Sequence, residues 1–95
     1  MGKKECNSSV VFEVGELYLF SESEPSCPCD RSLWGTFDKQ VGSTIYLESQ
    51  SYNLREFRLW TAVEPRFKYV RLATRGELRD YMYFLSAWEY RHNKR

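Results

Sequence analysis

The hydrophobic pattern of this chain changes period once, at Thr74, and that change sets the fold class. Upstream of it, apolar residues alternate in short runs, the period of half-buried strands. Downstream, in "GELRDYMYFLSAWEYRHNKR" (76–95), they recur every three to four positions, the period of an amphipathic helix. Thr74 followed by Glu77 is a capping box, in which the hydroxyl and the carboxylate each take a backbone N–H at the helix start. The pattern therefore predicts a helix over about 75–91, with Arg91, Lys94 and Arg95 near its negative pole.

The strand region punctuates itself. "VVFEVGELYLF" (10–20) reads as two strands around a bend at Gly15, with Leu17 and Leu19 on one face and Tyr18 and Phe20 on the other. "SESEPSCPCDRS" (21–32) is loop, because Pro25 and Pro28 lack the donor that a ladder needs. "LWGTFD" (33–38) and "TIYLES" (44–49) are strands separated by a turn at Gly42, with Ile45 and Leu47 sharing a face. In "REFRLWTAV" (55–63), Phe57, Leu59, Thr61 and Val63 alternate against Glu56, Arg58, Trp60 and Ala62. In "FKYVRLA" (67–73), Phe67, Tyr69 and Arg71 alternate against Lys68, Val70 and Leu72. "EPR" (64–66) is of hairpin length, so these two runs are expected to pair. The expected fold is α+β: about six strands in a strongly bent antiparallel sheet, or a partly open SH3-like or OB-like barrel, with one C-terminal helix. Residues 1–9 are polar and expected to be a flexible N-terminus; 10–95 form a single domain, with strands in 10–73.

The helix carries more aromatic residues than one docking face needs. Leu78, Tyr81, Met82, Phe84, Leu85 and Trp88 fall in an arc about 160° wide, with His92 at its end. This is the expected core face. Tyr83 and Tyr90 lie outside it, stacked one above the other beside Arg79, Ser86, Ala87 and Lys94. Aromatic residues are 17% of the 95 residues, roughly double an average share. Rings beyond the capacity of a small core suit an interface. Arg79, Tyr83 and Tyr90, with Trp60 next, are the candidate partner-binding residues.

Net charge is +1 and selects no partner, but its distribution is uneven. Residues 1–54 hold four basic groups against eight acids; residues 55–95 hold ten against five. The basic stretch from Arg55 to Arg79 interleaves cations with rings. Arg58, Trp60, Lys68 and Arg71 are the residues with which a small barrel would bind single-stranded nucleic acid, by tracking phosphates and stacking bases. Self-association through a strand edge or the Tyr stripe, giving a homodimer, is a third reading.

Chemistry is thinly represented. The one histidine, His92, sits in the helix tail beside Arg91 and Lys94, a poor place for a general base. No nucleophile elbow, phosphate loop or dinucleotide fingerprint occurs. Cys27 and Cys29 are spaced C-x-C, with Cys6 and His92 far away in sequence, so no metal set and no cofactor is expected. An odd number of thiols suits a reducing compartment. No apolar run approaches a membrane span, no signal-peptide core follows the basic start, and Cys6 breaks the myristoylation pattern. Together these point to a non-catalytic, cytoplasmic protein-binding module, an accessory or inhibitory protein.

Overall fold

The computed structural model describes residues 11–23 and 32–93. It is α+β: strands β1 (Leu17–Ser21), β2 (Leu33–Val41), β3 (Thr44–Ser51), β4 (Phe57–Ala62) and β5 (Tyr69–Leu72), then helix α1 (Arg75–Asn93). All five strands belong to one antiparallel sheet in the order β4-β3-β2-β1-β5. Among the described residues there are five strands rather than the six expected, and their sheet is not closed into a barrel.

The missing strand is the one read before Gly15. Residues 11–16 are irregular, and the chain turns at Val14 and Gly15, where Gly15 has φ 89°. The buried Tyr18 hydroxyl serves this segment instead of a ladder: it accepts from the Glu13 N–H at 2.8 Å and donates to the Val11 carbonyl at 3.3 Å. The turn lays Phe12 against Tyr18 and Phe37, with ring centroids 4.9 and 5.0 Å apart.

The predicted hairpin between the fourth and fifth strands does not form. Among the described residues β4 pairs only with β3, and β5 only with β1, so they are the two outer strands of the described sheet. Their shared direction follows from the chain of antiparallel pairings. Strands running the same way in a flat sheet need a crossover of roughly a dozen residues or more. Here residues 63–68 suffice, with a turn closed by Phe67 N–H to the Glu64 carbonyl at 3.1 Å. The sheet must therefore curl strongly, which brings Val63 and Val70 into the same apolar cluster.

That cluster fills one face of the sheet: Tyr18, Phe20, Leu33, Phe37, Leu47, Phe67 and Val70 are buried together. The opposite face carries Leu17, Trp34 and Phe57, and α1 covers it with Leu78, Tyr81, Leu85 and Trp88. With both faces covered, every residue of β1 is buried, while its two faces separate Leu17 from Tyr18 and Phe20 as the alternation predicts.

Two extra residues redirect the strands. Thr36 pairs with Ser49, Phe37 with Leu47 and Lys39 with Tyr46, so Glu48 in β3 and Asp38 in β2 are bulges. The bulge at Glu48 puts Leu47 and Ser49 on opposite faces, although they are two residues apart. β4 follows suit at Trp60, opposite Glu48, which adopts φ 56°. Phe57 therefore joins the helix-side cluster and Val63 the other, not one common face as the alternation of 55–63 implied. Similarly, Phe67 precedes β5 and buries with Val70 rather than with Tyr69 and Arg71.

The capping box forms as read: Glu77 Oε1 accepts from Thr74 N–H at 2.8 Å, and Thr74 Oγ1 accepts from Glu77 N–H at 3.2 Å. The Arg71 guanidinium also grips both carboxylate oxygens of Glu77, at 3.0 and 2.8 Å. This side-chain bond, with the Thr74 contacts, lowers the Glu77 pKa from 4.5 to about 2. A carboxylate depressed in the folded state contributes stability above its ordinary pKa, and loses it as pH falls toward the folded value. The bridge is partly solvated, so its contribution is about 1 kcal/mol. In urea titrations between pH 4.5 and 2, wild type is expected to lose that increment relative to Glu77→Gln. Parallel pH profiles would contradict it.

Candidate interaction surface

α1 is anchored by a ring that passes into the sheet. Tyr81 is completely buried, stacked on Trp34 at 6.2 Å and edge-on to Phe57 at 5.5 Å. Its hydroxyl meets Ser49 Oγ at 2.8 Å, and Ser49 Oγ meets Thr36 Oγ1 at 2.9 Å. Small side chains at Thr36 and Ser49 leave room for the ring, and their hydroxyls satisfy its polar end. Burial raises the Tyr81 pKa, so the phenol stays neutral and available for this bond.

The docked stripe is narrower than the arc predicted from sequence. Leu78, Tyr81, Leu85 and Trp88 face the sheet; Met82 and Phe84, at the two margins, are exposed. The sheet-side cluster contacts only the centre of the arc, so the margins stay in solvent. His92 continues the stripe by packing on Trp88, centroids 4.4 Å apart, with its Nδ1 2.9 Å from the Trp88 carbonyl oxygen.

The far side of α1 is where the sequence placed a second aromatic surface. Tyr83 is 69% and Tyr90 67% exposed. Phe84 packs edge-on to Tyr83, centroids 5.3 Å apart, adding a ring that sequence reasoning had assigned to the core. Arg79 is exposed on this side. Among the described residues, neither Arg79 nor Arg75 takes part in an ion pair.

Trp60 lies elsewhere, on outer strand β4, and is 66% exposed. Its positive φ is unusual for a bulky residue and stores local strain. It borders a hollow of about 340 Å³ with Asp38, Val41 and Tyr46. Lys39 Nζ lies 5.6 Å from the Tyr46 ring centre.

The four residues of the nucleic-acid reading are not brought onto one hairpin. Arg58 and Trp60 are on β4, whereas Lys68 and Arg71 lie before and within β5 at the other edge. Arg71 is committed to Glu77. Arg66, which sequence reading counted in the same basic stretch, is held by Glu22 and Glu64, donates to the Tyr52 hydroxyl at 3.0 Å and lies over the Phe67 ring. Only the neighbours Arg58 and Trp60 share an element.

Cys6, Cys27 and Cys29, and the N-terminal segment 1–9 expected to be flexible, lie outside the described residues. No described helix is long and apolar enough to cross a membrane. No protein-family model, curated protein or solved structure matches the chain.

Proposed function

We propose that this chain is a non-catalytic binding module acting through protein–protein contact, as an accessory or inhibitory protein of the cytoplasm. One observation carries the reading: α1, having docked through Leu78, Tyr81, Leu85 and Trp88, still presents Met82, Tyr83, Phe84 and Tyr90 to solvent. Rigid rings beside an unpaired arginine supply large contact area at low entropic cost, which is the composition of interface anchors. We read the curled sheet as a partly open small barrel of the SH3 kind, on the support of its strand order; such a frame implies no function by itself.

The single-stranded nucleic-acid reading retains Arg58 and Trp60 as neighbours, but it loses the concentration of cations that phosphate tracking needs. A salt titration separates the two. Phosphate binding weakens steeply with salt, whereas an aromatic-anchored contact changes far less.

The test is quantitative affinity capture with wild type and with Tyr83→Ala/Tyr90→Ala, folding being checked by circular dichroism. Two anchors of about 1 kcal/mol each predict roughly a thirtyfold loss of partner affinity. Undiminished capture by a folded double variant would sink this assignment of the surface.

A further inference from the structure

We propose that the furrow between the end of β5 and the start of α1 docks an acidic peptide segment carrying aliphatic side chains. The proposal rests on the protein-binding reading above and gives that partner its chemistry. The furrow has a volume of about 580 Å³, within the range of about 300–1,000 Å³ typical of ligand clefts. Its floor is apolar: Leu17 is buried, and Ala73 and Leu78 are half-buried. Leu72 also lines it, an aliphatic side chain 54% exposed.

The charge around that floor selects the occupant. Arg75 and Arg79 line the furrow, exposed and outside every ion pair among the described residues. Arg71 on the adjoining strand differs, being held by the Glu77 carboxylate. Among the described residues Glu16 is the one acid in the lining, set against Arg75 and Arg79. Guanidinium groups beside apolar surface match carboxylates in bidentate geometry, while the floor takes aliphatic side chains. The helix end itself is already served by Thr74 and Glu77, so the attraction comes from the two arginines.

The furrow also continues into the surface proposed above. Arg79 belongs to both, and Met82 lies one turn beyond Leu78 on the same flank of α1. A segment seated in the furrow can thus run on toward Tyr83.

The experiment is selection of a randomised peptide library against immobilised wild-type chain, followed by binding of the enriched peptides to variants. Enrichment of Asp and Glu interspersed with Leu, Ile or Phe is expected. Affinity is expected to fall about tenfold in Arg75→Glu/Arg79→Glu, as two exposed charge contacts become repulsive, and several-fold in Leu72→Ser. Arg75→Glu places an acid at the helix start, where it is electrostatically tolerated, so the variant should stay folded. Overturning results are enrichment without acids, enriched peptides indifferent to the arginine reversal, displacement by a single-stranded oligonucleotide at equal concentration, or a self-associated chain whose own contact occludes the furrow. If Tyr83→Ala/Tyr90→Ala abolishes partner capture while Arg75→Glu and Leu72→Ser, both outside the helix-face set, do not weaken it, the furrow assignment fails and the helix-face reading stands.

Discussion

Tyr81→Ala is expected to destabilise the protein by about 3–5 kcal/mol, more than other single truncations on α1. The ring packs against both Trp34 and Phe57, so its removal leaves a void within the helix-side cluster. The loss has a polar part as well, since Ser49 Oγ is left with Thr36 alone. Tyr81→Phe separates the two contributions. It keeps the packing and removes one hydrogen bond, so it should cost only about 0.5–1.5 kcal/mol. Urea denaturation followed by Trp fluorescence reads both variants, because Trp34 stacks on this ring. A Tyr81→Ala cost below about 1 kcal/mol would mean that α1 does not dock through Tyr81.

Gly35→Ala is expected to cost about 1–3 kcal/mol, though one methyl group is added and none removed. A Cβ at position 35 would lie 2.4 Å from Leu47 Cδ1 and 3.1 Å from the Ser49 carbonyl oxygen. Leu47 is wholly buried and cannot swing aside, and the carbonyl belongs to the β3 backbone. Leu47→Ala should be destabilising alone, by about 2–5 kcal/mol, yet it makes room for the new methyl. In a double-mutant cycle, Gly35→Ala should therefore cost much less in the Leu47→Ala background, where only the Ser49 carbonyl contact remains. Additive costs in the cycle would show that the clash is relieved elsewhere.

Neither position announces itself in the sequence. Tyr81 reads as one of five helix aromatics, and its partners Thr36 and Ser49 read as ordinary strand residues. Their link spans 32 residues from Ser49 to Tyr81. The candidate surface was more legible. Tyr83, Tyr90 and Arg79 follow from helical geometry alone, because a period of 3.6 fixes which side chains oppose the docked stripe. The margins were not legible, since Met82 and Phe84 are exposed only because the sheet face beneath α1 is narrow. The furrow was invisible, because Leu72 and Arg75 are brought together with Leu17 by the return of β5 to β1.

What the sequence by itself determined is local: the change of period at Thr74, the Thr74–Glu77 cap, the Gly42 turn and the two-sided pattern of β1. Each depends on interactions within a few residues, whose geometry the backbone dictates. What only the tertiary structure decided is which strands pair and which faces they show. Alternation ranks residues by face but carries no record of partner, so the short 64–66 link looked like a hairpin while β5 instead joined the free edge of β1. The bulges at Asp38 and Glu48, with the left-handed turn of Trp60, then exchanged faces partway along three strands. A one-residue offset reverses every side chain beyond it, and only the packed sheet fixes where that offset falls.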